Sequence, residues 1–318
     1  MRLLIGALAL VLAGGAQAQT WPDKPVHIIV AFTPGSATDV IARSMSNELS
    51  ARLGQPVIIE NRPGAGGTIA NAFVSKAPAD GYTLLVDSSG HTVNPWIYGN
   101  LSYDTVKDLK GVTLLARQPN VLVVAPDRSW KIVADLVNQA KAQPGKMSFA
   151  SAGVGSATHM NGEKFKVAAG IDVLHVPYKG TGGAVQDLLG GQVNMMFLPV
   201  HVALPQVEAG KLRLLAAGGT RRAAVTPNVP SLAEASGVAD IDVDIWYALY
   251  APAGTPPAII AKLNADANAL LKSPEVADVL AKQGLTATGG SAADLAKLTA
   301  TDLARWARVI HDAHITAE

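Results

Sequence analysis

Apolar and polar residues alternate along this chain in a pattern that predicts strand and helix in turn. Residues 26–32 form an apolar run with the character of a buried strand. Ile41, Met45, Leu49 and Leu53 then recur every four residues, which places one apolar stripe on a helix, and Gly54 stands where that helix should stop. Residues 57–60 predict a second strand, with a helix beginning at Thr68. Pro78-Ala79-Asp80-Gly81 marks a turn before a strand at 83–86. A second set of strands is predicted at 148–151, 173–176, 194–197 and 212–217, and helices at 257–271, 274–283 and 292–311. Such alternation implies an α/β fold with parallel sheet covered on both faces. Two apolar strands ending in Ala-Pro, 120–126 and 246–252, read as crossings between two such sets. The expected organisation is a leader at 1–18, a first lobe from 19–120, a second lobe from 121–245, and a return to the first lobe over 246–318.

One device recurs where strands give way to helices. Thr33-Pro34-Gly35-Ser36-Ala37-Thr38 follows the first strand, and Ala152-Gly153-Val154-Gly155-Ser156 follows Ser151. Each uncharged turn points the first N–H groups of a helix outward. Those groups lack intrahelical partners and carry the positive end of the helix dipole, so they form an anion site without cationic side chains. Ser36 followed by Asp39 resembles a capping box, which makes Asp39 a cap more than an anion contact. Asp87-Ser88-Ser89-Gly90-His91 supplies hydroxyls and an imidazole at another strand end, and Lys179 with Gly180 follows the strand at 173–176.

Composition narrows the reading. Of 318 residues, 49% are hydrophobic and 16% charged, enough for a sizeable core and against disorder. A net charge of +1 without basic blocks, with 5% aromatic residues, gives no footprint for nucleic acid or an anionic membrane. Arg2, the apolar stretch 3–13 and Ala16-Gln17-Ala18 fit a secretory leader cleaved near Ala18. There are no cysteines, so export to an oxidising compartment would bring no disulfides and no lipidated Cys. The expected location is the periplasm. Neither a G-x-S-x-G elbow nor a P-loop occurs, and Gly153-Val154-Gly155 lacks the third small residue of a dinucleotide turn because Thr158 stands there. His311 and His314 are three apart but lie near the C-terminal tail without a nearby cluster, which argues against a metal site. No cofactor, metal or catalytic residue is expected.

At these motifs the chain resembles the Bug family of solute receptors for tripartite tricarboxylate transporters. The resemblance rests on Ala31-Phe32-Thr33-Pro34-Gly35, Glu60-Asn61-Arg62-Pro63-Gly64-Ala65-Gly66-Gly67 and Ala79-Asp80-Gly81-Tyr82-Thr83. It continues through Ser151–Ser156, His175-Val176-Pro177-Tyr178-Lys179-Gly180, residues 187–193 and Ala251-Pro252-Ala253-Gly254-Thr255-Pro256. It implies a two-lobed, type II-like Venus flytrap with two hinge crossings and a ligand carboxylate held by both turns. The two turns, together with the strand-end and loop candidates around them, give an expected ligand set of Phe32, Thr33, Ser36, Ala37, Thr38, Asp39, Ser88, Ser89, His91, Ser151, Gly155, Ser156, Lys179, Gly180, Phe197 and Leu198. Ser36 stands where the family usually has Gly, Thr68 where Asn is frequent, and Leu198 where it often has Asp. The last departure disfavours an amino-acid ligand. The function implied is capture of a small organic carboxylate by a monomeric receptor and handover to membrane permease subunits. A ligand-sensing adaptor and, further off, a periplasmic hydrolase are the rival readings.

Overall fold

The computed structural model describes residues 21–223, 225–238, 241 and 243–312. The leader and His314 lie outside them. In chain order, β1 (Val26–Val30), α1 (Ala37–Leu53), β2 (Val57–Asn61), α2 (Thr68–Ser75), β3 (Thr83–Ser88), α3 (Asn94–Ile97) and β4 (Leu109–Gln118) come first. The middle of the chain forms β5 (Asn120–Val124), α4 (Val133–Ala142), β6 (Ser148–Ser151), α5 (Ala157–Ala169), β7 (Leu174–Pro177) and α6 (Thr181–Leu189). It continues with β8 (Met195–Pro199), α7 (Val200–Glu208), β9 (Arg213–Ala217) and α8 (Leu232–Ser236). The chain ends with β10 (Ile245–Pro252), α9 (Pro257–Leu271), α10 (Pro274–Lys282), β11 (Thr286–Ala287) and α11 (Ala292–Asp312).

Two sheets result, ordered β11-β4-β10-β3-β1-β2 and β7-β6-β8-β5-β9. Each is buried on both faces. On the first sheet, Ile28, Val86 and Leu249 pack against α1, α9 and α10, while Ile29, Leu85 and Trp246 pack on the opposite side with Val74 and Leu295. On the second sheet, Phe149 and Phe197 pack with Leu136 and Phe165 on one face, and Val123 and Leu198 with Leu188 and Ala203 on the other. Two-sided burial explains the near-continuous apolar runs.

The sheets are mixed, which corrects the all-parallel expectation. β1 pairs in parallel with β2 and β3, and β6 with β7 and β8, but β10 is antiparallel to both β3 and β4. β5 is likewise antiparallel to β8 and β9. The cause is the path between sheets. The βα turns put the carboxyl ends of the parallel strands at one shared cleft, and a strand arriving from the other sheet starts at that cleft, so it must run the opposite way. The crossings are also shorter than expected. Residues 120–126 and 246–252 each belong to a single sheet, and the chain passes over at Gln118-Pro119-Asn120 and returns at Asp244, between Val243 of the second core and Ile245 of the first.

Contacts across the cleft are direct. Tyr98 Oη donates to the Val154 carbonyl at 2.7 Å. Met160 of α5 packs with Val93 and Ile97 of the first half and with Trp306 and Ile310 of α11.

Candidate functional site

The turns after β1 and β6 are built alike. Gly35-Ser36-Ala37-Thr38-Asp39 and Gly155-Ser156-Ala157-Thr158-His159 repeat four identical residues, and the backbones match as well. Gly35 and Gly155 take φ of +80° and +78°, a region open to glycine. Ser36 and Ser156 are N-caps at φ/ψ of −69°/161° and −66°/156°. Each cap hydroxyl accepts from the backbone three residues on, Asp39 N–H and His159 N–H. Each also hydrogen-bonds the threonine two residues on, at 2.9 Å for Ser36–Thr38 and 3.0 Å for Ser156–Thr158. The fifth residue reaches back to the glycine. Gly35 N–H donates to Asp39 Oδ2 at 3.0 Å, and Gly155 N–H donates to His159 Nδ1 at 3.2 Å. These bonds leave the N–H groups of Ala37, Thr38, Ala157 and Thr158 without a protein partner among the described residues.

Both turns face one cavity. Ser36, Ala37 and Thr38 line it from the first half, with Phe32 and Ser88, and Ser156, Ala157 and Thr158 line it from the second, with Ala152. Thr181 at the start of α6, Pro199 and His201 at the start of α7, and Ile245 and Tyr247 of β10 complete the wall. No lysine, arginine or acid is among these residues. The cavity therefore concentrates four backbone donors and several hydroxyls between two helix dipoles, a setting for one anionic group.

Other expected site residues stand elsewhere. Thr33 and Gly180 oppose each other across the cleft: a Cβ on Gly180 would sit 3.4 Å from Thr33 Oγ1. Asp39, Ser151 and Gly155 lie behind the turns and brace them. Asp39 reaches Gly35 rather than closing a box onto Ser36, and its other oxygen accepts from Arg43 Nε and Asn61 Nδ2, both at 2.9 Å. Its charge is thereby occupied. Ser151 Oγ bonds His175 Nε2 at 2.7 Å, and His175 stacks on His159 with ring centroids 4.0 Å apart. Lys179 borders a neighbouring cleft between Phe32, Tyr98 and Val154. Four expected contacts do not line this cavity. Ser89 and His91 are buried beneath the cavity, the His91 ring against Tyr250. Phe197 and Leu198 are fully buried on opposite faces of β8, in the two core layers of the second sheet. β8 reaches the cavity only at its end, through Pro199.

Sequence reasoning passed over Thr158, Thr181, His201, Ile245 and Tyr247. The repeated Gly-Ser-Ala-Thr was a usable signal for Ala157 and Thr158. The start of α7 had none, because its approach to the cavity depends on the tertiary path.

Burial keeps the local histidines neutral. Desolvation pushes His91, His175 and His201 down to about 4, and His159 to about 3, the last also through His175 and Lys166. Desolvation raises Asp87 to about 7, against a shorter bond from Ser88 N–H at 2.6 Å. The signs oppose. Each histidine stabilises the fold above pH 6.5 and loses that contribution as pH falls toward its depressed value. Asp87 favours the fold at low pH and loses that as pH rises through about 7. The four histidines outnumber the one carboxyl, so stability should fall as pH drops from 6 to 5. Urea unfolding at pH 5 and 6 checks this; equal stabilities would mean the buried rings already carry protons.

Comparison with known proteins agrees with this architecture. The family described as tripartite tricarboxylate transporter family receptor matches residues 41–315. BugT of Bordetella pertussis is 37% identical over 95% of this chain and 93% of its own length. An adipate-bound protein of R. palustris superposes with a TM-score of 0.89 at 34% identity, covering 94% of this chain and all of that one. The malate-bound MatC of Rhodopseudomonas palustris gives 0.85 at 32% identity, covering 91% of this chain and 99% of that one. The fold is that of a periplasmic binding protein, and the chain belongs to the tripartite tricarboxylate transporter receptor family, the Bug receptors.

Proposed function

We propose that this receptor captures a small organic carboxylate between two lobes and hands it to the permease subunits of a tripartite transporter. Each sheet with its helices is one lobe, and the lobes close about Gln118-Pro119-Asn120 and the return at Asp244. The receptor acts in the periplasm as a monomer without cofactor, after cleavage near Ala18. The observation that carries the reading is the pair of Gly-Ser-Ala-Thr caps, which aim the N–H groups of Ala37, Thr38, Ala157 and Thr158 at one cavity. A carboxylate offers about four acceptor positions, which matches four donors split between two lobes. Adipate and malate in the related structures support the ligand class.

A hydrolase would need its nucleophile at the cavity. The Ser151–His175 pair has the spacing of a nucleophile and base, but Ser151 is fully buried behind its turn and is not on the cavity wall. That favours a receptor over an enzyme.

The test is a thermal-shift screen of refolded protein against small carboxylates and their amides. A ligand that binds only the folded state adds about 2.7 kcal/mol at a hundredfold excess over Kd. Free carboxylates should raise the melting temperature and the matched amides should not. Equal shifts from both, or none from any carboxylate, would overturn the anion reading.

A further inference from the structure

The two caps differ at their fifth residue, which is Asp39 in the first and His159 in the second. A backbone N–H can only donate, so the bond from Gly155 N–H makes His159 Nδ1 an acceptor. An imidazole that accepts at Nδ1 is neutral and carries its proton on Nε2. That nitrogen faces Glu163 Oε1 at 3.8 Å, and Glu163 is itself paired with Lys166 at 2.9 Å. The ring is buried, and stacking sets its plane: its centroid lies 4.0 Å from that of His175, which in turn lies 4.8 Å from Phe149. Ser151 Oγ anchors His175 and also accepts from Gly153 N–H at 3.1 Å. Behind the first cap the matching group is a carboxylate, balanced by Arg43 and Asn61. Behind the second it is uncharged.

The residue that His159 holds is also the one the other lobe meets. A Cβ on Gly155 would stand 2.9 Å from Asn94 Oδ1 and 3.1 Å from the Tyr98 ring, both of the first lobe. The Gly155 carbonyl lies 3.2 Å from where a Cβ on Gly90 would be. A glycine at φ +78° is free to leave that conformation, so the bond to Nδ1 fixes where the turn stands when the lobes meet. We infer that His159 is a positioning residue for ligand capture. It holds Gly155, and with it the N–H groups of Ala157 and Thr158, in place for closure through an acceptor that brings no charge. A carboxylate there would offset the positive field of the helix terminus that draws the ligand anion. Asp39 avoids this through Arg43 and Asn61. The inference rests on the carboxylate reading above.

The experiment measures Kd by calorimetry for succinate, malate, adipate and benzoate, at a pH near 8 that favours ionisation of an introduced carboxyl. The proteins are wild type, His159→Leu, which removes the acceptor, His159→Asn, which restores a neutral one, and His159→Asp, which copies the first cap. Melts without ligand read the fold of each. His159→Leu should bind about tenfold more weakly than wild type, His159→Asn close to wild type, and His159→Asp more weakly than His159→Asn. Leucine and asparagine variants that lose affinity equally overturn the positioning role, since lost packing would then account for both. So does a His159→Leu that binds as wild type does. Equal Kd values for His159→Asn and His159→Asp overturn the need for a neutral group. Should His159→Leu unfold, the other two variants and nitrogen NMR of the wild-type ring decide: an unprotonated Nδ1 is expected, and a protonated one overturns the role while leaving the carboxylate site standing. If wild type binds none of the four acids, the carboxylate reading fails and this inference falls with it.

Discussion

Ser156→Asp is expected to abolish carboxylate binding while leaving the receptor folded. The residue is buried at the cap of α5 and lines the cavity beside Ala157 and Thr158. Aspartate caps helices as well as serine does and gains from the dipole, so α5 keeps its start. The new carboxylate occupies the field meant for the ligand. Two like charges about 4 Å apart at an effective dielectric near 20 repel by about 4 kcal/mol, close to a thousandfold in Kd. Calorimetry against the best ligand of the screen reads the loss, and a melt without ligand reads the fold. An unchanged Kd would remove the second cap from the site. A melting temperature that collapses would instead show that Ser156 serves the fold.

Gly66→Ala carries the second largest effect, on closure. Gly66 lies in the first lobe at φ +61°, next to Ala65 at +46°. A Cβ there would stand 2.6 Å from the Val154 carbonyl of the opposite lobe, a backbone atom already holding Tyr98 Oη. The carbonyl cannot yield without parting the lobes. The backbone conformation adds about 1–2 kcal/mol of strain. Ligand release should quicken by about 10–100-fold through overpacking of the closed interface. Small-angle scattering should show the variant remaining wide at saturating ligand. Wild-type release rates with normal compaction would show that the lobes bind without meeting there.

The elements bearing the two turns were legible because their strands are continuous apolar runs and α1 has a clean four-residue stripe. β4 was not, since Lys110, Gly111 and Arg117 interrupt its apolar residues. The antiparallel placing of β5 and β10 follows from where the chain crosses, which no local pattern encodes. Leu198, with Phe197 beside it, enters the expected set because it stands where the family often has Asp, and a strand buried on both faces shows no two-residue period to separate core from cavity. Ser36, Ala37, Thr38 and Ser156 stand on the cavity wall for a reason visible in sequence, namely the cap residues that open α1 and α5. His201 and Tyr247 come from parts of the chain that meet only at the crossings.

The absence of lysine and arginine from the cavity wall has a kinetic consequence. Two helix termini contribute about half an elementary charge each, which balances one monoanionic head group and leaves a dianion such as sulfate undercompensated. With a chain net charge of only +1, little long-range field draws anions inward. Capture is then expected to proceed at unsteered diffusional rates and to change little with ionic strength, which association rates measured at low and high salt would check.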